Sequence, residues 1–471
     1  MRDCFEILHK DLAGRIGRLT TPHGIIETPA IMPVINPHLQ IISPSEMAKI
    51  GASIIITNSY IIRQDENLRN QAIENGLHNF LGFQGPIMTD SGAYQLSVYG
   101  QIDVEPLEIL RFQQEICSDI CVPLDIPTPP YVPRERAAIE LEETKKRLLE
   151  ALEHKNGSLL AGPIQGSTFL DLRAEAAAFL KDKDFDIFPV GGIVPLMESY
   201  RFKDLVGIIA ASKKCLGSGA PVHLFGAGHP MIFSLASALG CDLFDSAAYA
   251  LYAREGRYLT SRGTWNLEKL KYLPCSCHIC QNHTVQEIID SLERTKLLAR
   301  HNLYITFQEM RIVKQAIREG SLWDLLESRC KSHPKMLDAL RRLTLESEWI
   351  ETLDASSKST FFHLGPESSL RPEVLSYGRK INRISLNGNV LITDNFKTDL
   401  EDYDQVLCFK PPFGPYPPEL AETYPLNAEV TEEPDPLAIN KSVEIMRNLI
   451  ASNPNANFDI RLKFLLDAGK R

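Results

Sequence analysis

The chain contains no apolar run of the ~18 residues that a membrane-spanning helix requires. Its N-terminus, Met1-Arg2-Asp3-Cys4-Phe5-Glu6, is charged and lacks the apolar centre of a secretion signal. Both absences argue against a membrane or exported protein and point to the cytoplasm, with no membrane partner. No low-complexity tail is present. A positive excess is also missing, because the net charge is -10, and a phosphate-binding surface needs local positive charge. The balance is uneven, however: residues 252–320 hold 11 Lys/Arg against 7 Asp/Glu and carry +4, while the rest carries -14. Such a stretch is most simply a set of solvated helix faces. Cysteine is sparse and scattered over most of the chain (Cys4, Cys117, Cys121, Cys215, Cys241, Cys330 and Cys408), as expected of reduced, mostly buried thiols.

What is present is a repeated unit. A short apolar, β-rich run ends in a polar residue or glycine, and a helical stretch usually follows. The runs fall at 30–34, 53–57, 85–89, 120–124, 159–164, 187–190, 222–225 and 242–244, which makes eight candidate strands. Plausible helices lie at 106–116, 134–154, 170–180 and 230–239. This alternation predicts parallel strands with helical crossovers, and eight repeats suggest an α/β fold closed as a (β/α)8 TIM barrel. A doubly wound open sheet is the alternative that periodicity leaves open. The strand ends read Asp90, Asp125, Gln165, Gly191-Gly192, Gly226 and Asp245. In a barrel these ends converge on one face, where active sites sit. One Asp after a strand is most simply a helix cap; a set in the same register points to a site.

With 471 residues, more than one domain is expected. Residues 1–345 are read as the barrel, with a zinc module at about 265–320. The polar, Ser-containing stretch 346–371 reads as a linker, and 372–471, with strand-like runs at 390–393 and 405–409 and a helix-like region at 436–451, as a small α/β accessory domain. Cys275-Ser276-Cys277-His278-Ile279-Cys280 places three thiols within six residues. A reducing compartment makes so dense a cluster a metal site, and tetrahedral zinc needs one further ligand. His301, at the end of a helical stretch over 287–300, is favoured; His283 is the runner-up, and His278 lies awkwardly inside the knuckle. Four protein ligands would make one structural Zn2+, with no open position for water.

Thr89-Asp90-Ser91-Gly92-Ala93-Tyr94-Gln95 resembles the TDSG(G/A)(F/Y)Q motif of tRNA-guanine transglycosylases. Leu243-Phe244-Asp245-Ser246 resembles their nucleophile strand, and the knuckle with His301 their zinc site. The stretches 124–130 and 191–198, and Phe409-Lys410-Pro411-Pro412-Phe413-Gly414-Pro415-Tyr416-Pro417, are similar to the archaeosine type of the family. The resemblance implies exchange of a guanine in tRNA, at position 15 of the D-loop, for 7-cyano-7-deazaguanine (preQ0). Retention at one sugar carbon suits two displacements through a covalent intermediate. By resemblance Asp245 is the nucleophile on the ribose C1′ and Asp90 the general acid/base. Asp125 would accept from the N1–H and N2–H2 edge of the base, Gln165 and the Gly192 N–H would engage the acceptor side, Tyr94 would stack on the base, and Ser91 would join the substrate site. Arg254, Arg257 and Arg262 could then contact tRNA phosphates.

Members of the family usually continue into a PUA domain that grips tRNA. The resemblance therefore implies a catalytic chain with a separate PUA-containing partner, and a homodimer contact on the zinc side is plausible. Three other readings compete: an archaeosine-synthase-like enzyme, a non-catalytic tRNA-binding subunit, and an unrelated barrel hydrolase with a structural zinc. The first two would lack part of the Asp90, Asp245 and cysteine set, and the third leaves the joint motifs unexplained.

Overall fold

The computed structural model describes residues 4–93, 104–394 and 402–463. Each of the eight apolar runs forms a strand: Ala30–Ile35, Ile55–Asn58, Ile87–Asp90, Ile120–Cys121, Leu159–Leu160, Phe188–Val190, Val222–Leu224 and Leu243–Ser246. All neighbours are parallel, and the last strand returns to pair with the first, Asp245 opposite Met32. The remaining seam, between the fifth and sixth strands, closes through the parallel bridges Ala161↔Ile187 and Ile164↔Val190, with the Ile164 N–H donating to Pro189 O at 2.7 Å. The sheet is therefore a closed barrel, and the open doubly wound alternative is excluded. The strands are short, unbroken apolar runs because both faces are covered. One face packs on the helices; the other fills the barrel with Met32, Ile56, Met88, Val122 and Ala161.

An antiparallel sheet of Phe5–Asp11, Gly14–Thr21 and Gly24–Thr28 supplies Phe5, Leu19 and Ile26 to that interior cluster. They pack with Ala30, Ile54, Ile120, Ile187 and Leu243, at or just before the starts of their strands, so this sheet stoppers the N-terminal end and leaves the opposite end to chemistry. The crossover helices Pro106–Glu115, Arg134–Glu153 and Leu170–Lys181 lie where periodicity placed them. The stretch 230–239 splits into a 3-10 turn, Pro230–Ile232, and the helix Phe233–Ala238.

A helical layer, Arg294–Glu319, Leu322–Cys330, Pro334–Thr344 and Ser347–Leu353, contributes to the same core as the barrel. Beyond it a four-stranded sheet, in the order Gly414–Tyr416, Gln405–Lys410, Gly388–Thr393 and Ala456–Arg461, packs with the helix Pro436–Ser452 around a second core. The polar stretch between the two cores is pinned by charge. The Lys358 side chain, 1% exposed, contacts Asp11 at 2.6 Å, Asp354 at 2.9 Å and Glu373 at 2.8 Å. Arg371, also buried, spans Asp324 and Glu373. No described helix is long and apolar enough to cross a membrane.

Candidate active site and metal centre

The strand ends deliver their polar residues to one mouth. Asp245, 6% exposed, sits in the eighth strand, where its Oδ1 accepts from His223 Nε2 at 2.8 Å and from the Gly226 N–H at 2.7 Å. Both donors belong to the seventh strand and the turn after it. Since the carboxylate can only accept, His223 carries its proton on Nε2; its buried Nδ1 has no hydrogen-bond partner among the described residues.

Asp90 closes the third strand. Asn58, at the end of the second, donates its Nδ2 to Asp90 Oδ2 at 3.0 Å. Burial, then the charges of Asp125 and Asp245, push the Asp90 carboxyl up to about 7, against backbone hydrogen bonds from Gly92 and Ser91. Ser91 is fully buried, and its hydroxyl donates to Pro123 O at 3.3 Å, tying the third strand end to the loop that carries Asp125.

Asp125 follows the fourth strand and is 4% exposed. Its Oδ2 accepts from Gln165 Nε2 at 2.5 Å. Burial pushes its carboxyl up to about 6; the Gln165 bond and the charges of Arg147 and Arg173 oppose this. Gln165 thus faces Asp125 directly, and its own Oε1 is buried without a partner in the described structure. Gln165 can take this pose because the residues beside it are glycines. A Cβ on Gly191 would lie 2.3 Å from Gln165 Nε2, and Gly192 has φ +68°, in the left-handed region. Tyr94 lies outside the described residues.

Three residues escaped the sequence reading. His223 had a signal, a lone polar side chain inside Val222–Leu224. Asn58 had a weaker one, since an Asn after a strand reads as the cap it also is, accepting from the Ile61 N–H at 3.0 Å. Arg173, on an ordinary amphipathic helix, had none.

The candidate metal ligands assemble from three elements. Sγ of Cys275, Cys277 and Cys280 and a nitrogen of His301 all lie within 4.8 Å of one another, so the four could hold a metal ion. His301 Nδ1 is 3.5 Å from Cys277 Sγ and 3.3 Å from Cys280 Sγ. Its Nε2 donates to Leu259 O at 3.0 Å, which leaves Nδ1 as the unprotonated donor and fixes the ring, the arrangement expected of a metal-bound imidazole. Tyr258 stacks on the imidazole with centroids 3.6 Å apart. His283 is excluded from the cluster: its Nδ1 sits on Ile279 O at 3.0 Å. His278 Nδ1 is taken by Asn282.

The single helix expected over 287–300 is corrected to two, Val285–Asp290 and Arg294–Glu319, with His301 two turns into the second. Ser291 breaks the run. Its backbone is extended and its hydroxyl accepts from the Glu293 N–H at 3.1 Å, a local bond that competes with helix. The Arg cluster follows the Asp245 strand: Arg254 ends the helix Ala248–Arg254 and is exposed, Arg262 is exposed on the next hairpin, and Arg257 lies over the Tyr252 ring at 3.7 Å.

A closed barrel with three buried or half-buried carboxylates at its mouth and a Cys3His cluster packed on the same core has the layout of a barrel enzyme. The sequence model of the queuine tRNA-ribosyltransferase family matches residues 11–335, and the chain belongs to that family. It is 56% identical over 459 residues to the tRNA-guanine(15) transglycosylase of Methanosarcina barkeri, covering 97% of this chain and 94% of the relative. To that of Haloferax volcanii it is 50% identical over 466 residues, 98% of this chain and 90% of the relative. To that of Methanocaldococcus jannaschii it is 48% identical over 445 residues, 90% of this chain and 68% of a longer relative.

Proposed function

We propose that this chain is a tRNA-guanine(15) transglycosylase that replaces guanine with preQ0 on the way to archaeosine. The observation that carries this reading is the convergence of Asp90, Asp125 and Asp245 at one barrel mouth in a chain so similar to relatives of that name. Asp245 attacks C1′ as the bond from C1′ to the base nitrogen breaks, giving a ribosyl ester. Protonated Asp90 supplies the proton that the departing guanine takes up. The entering base returns a proton to Asp90 as its nitrogen displaces the carboxylate, so the exchange is proton-neutral. Asp125 accepts from the donor edge of the base; Gln165 and Gly192 border the acceptor side, Ser91 braces the loop, and Tyr94 stacks on the ring. Residues 1–345 are taken as the catalytic unit, 346–371 as its connection and 372–471 as an accessory unit. The working compartment is the cytoplasm.

The test is transfer of labelled guanine into tRNA by the purified chain. Label in tRNA supports the reading; none from folded protein, with or without a PUA-domain protein added, refutes it. A separate PUA-domain subunit is proposed as a second grip on tRNA, in view of relatives of two lengths, and it should lower the KM for tRNA and leave that for free base unchanged. A homodimer through the zinc-side face is the accompanying assembly proposal.

The donor set of three thiolates and one imidazole, with its second nitrogen already bonded, fits one Zn2+. The ion would supply folding energy to residues 265–320 and no reactive water. Cys277→Ser, or prolonged chelation, is expected to remove the bound metal and lower the melting temperature by roughly 10 °C or more, because metal-binding energy in such sites is folding energy. Metal analysis with calorimetry checks this, and a metal-free protein of unchanged stability would contradict it.

For the tRNA surface, Arg254→Glu with Arg262→Glu should raise the KM for tRNA about 10-fold or more and flatten its salt dependence, since each lost phosphate contact removes counterion release. The KM for free guanine should not move. Unchanged tRNA affinity across a salt titration would remove these residues from the interface.

A further inference from the structure

The helix Leu170–Lys181 carries a fully buried arginine, Arg173, whose guanidinium has no carboxylate within ion-pair distance among the described residues. It faces backbone instead. Nε donates to Ser167 O at 2.8 Å, one terminal nitrogen to Ile164 O at 2.6 Å and the other to Gly191 O at 2.9 Å. Ile164 immediately precedes Gln165, and Gly191 immediately precedes Gly192. Ser167 is held in the left-handed region at φ +53°, and its own hydroxyl donates to Pro129 O at 2.7 Å, in the loop that begins at Asp125. One planar cation therefore ties together the loops after the fifth and sixth strands, and Ser167, whose carbonyl it holds, links them to the loop after the fourth.

A core arginine would be cheaper as a leucine unless its geometry were needed, because burying a charge without a counter-ion is costly. Only a guanidinium offers donors in a rigid plane that can reach three carbonyls at once; an ammonium offers a point charge. Burial has already pulled the Arg173 guanidinium down to about 9, and the nearest acidic influence on it is Asp125.

We infer that Arg173 is the positioning residue of the base-recognition pocket, clasping the loops that carry Gln165 and Gly192 directly and the Asp125 loop through Ser167, so that the pocket is set before the base arrives. This rests on the proposal that those three groups hold the base. Arg173 does not touch the base itself. It acts by fixing where the Gln165 side chain and the Gly192 N–H stand, and its charge favours an ionised Asp125, as does that of Arg147.

The experiment is guanine exchange into tRNA by wild type, Arg173→Lys, Arg173→Met and Ser167→Ala, with metal content and melting recorded for each. Both Arg173 variants should raise the KM for free base by about 10²-fold, the scale of a misplaced recognition group, while the KM for tRNA stays put. The acid limb of the base KM should move to higher pH in Arg173→Met, which has lost the cation, and stay in place in Arg173→Lys, which keeps it. A merely structural arginine would produce neither the split between substrates nor the difference in pH limb. Ser167→Ala leaves Arg173 in place and cuts only the tie to Pro129, so it is expected to raise the base KM with kcat unchanged even if both Arg173 variants fail to fold. Active wild type with a normal base KM in folded Arg173→Lys, or in folded Ser167→Ala when the Arg173 variants do not fold, overturns the inference. Inactive wild type would instead overturn the proposed reaction.

Discussion

Asp245→Asn should lose at least about 10⁴-fold in base exchange, the scale on which removing a covalent nucleophile acts, and should retain its fold. The substitution is chosen because it changes so little else. An Asn oxygen can still accept from His223 Nε2 and the Gly226 N–H, the two bonds that hold Oδ1. What it removes is the second anionic oxygen, so the loss reads on chemistry and not on packing. Wild type incubated with tRNA without competing base should give an adduct that survives denaturation, and Asp245→Asn should give none. Exchange by the variant within about 10-fold of wild type would place the nucleophile elsewhere.

Asp90→Asn carries the second large effect, a loss of about 10²–10⁴-fold if the carboxyl moves a proton in both half-reactions. The sign of the pH dependence follows from its raised pKa. A carboxyl pushed up to about 7 stays protonated in the folded chain through the range in which an unfolded Asp ionises, so the acid form needed to release guanine is present below pH ~7 and is lost above it. The wild-type kcat/KM for tRNA should therefore fall about tenfold per pH unit above neutrality. Asp125, pushed up to about 6, must be ionised to accept from the base, so the KM for free base should rise as pH falls below that value. The two limbs have opposite sign and can be separated in one data set.

The same shift makes a stability claim. Because folded Asp90 binds its proton more tightly than the unfolded chain does, stability falls as pH rises from the ordinary carboxyl range through neutrality. Asp90→Asn removes a charge that Asp125 and Asp245 repel, so at pH 8 the variant should melt no lower than wild type, and higher if Asn58 can still bond it. Loss of activity together with loss of stability would mean that Asp90 is a structural cap after all.

The barrel was legible because its physics is local. Strands covered on both faces must be short and wholly apolar, and their polar ends must meet water or substrate, so eight runs with Asp90, Asp125, Gln165 and Asp245 at their ends announced the architecture and offered a candidate site. The thiol cluster was legible for a similar reason, since three cysteines within six residues have few other uses. His301 could be favoured over His283 but not decided, because the choice depends on where a helix starts and on a bond to Leu259 O across 42 positions of sequence. Tertiary structure supplied the roles of His223 and Asn58, whose sequence signals were weak, and of Arg173, which had none. Each acts on a partner from another strand or loop, and hydrogen bonds between distant segments leave no periodicity behind. It alone decided that Gln165 turns to Asp125, and that a polar stretch resembling a linker buries Lys358 among three carboxylates. Sequence determined which residues could do the chemistry, because apolar pattern and ligand spacing are written along the chain. The fold decided which groups hold them in place, because that depends on contacts made only when the barrel closes.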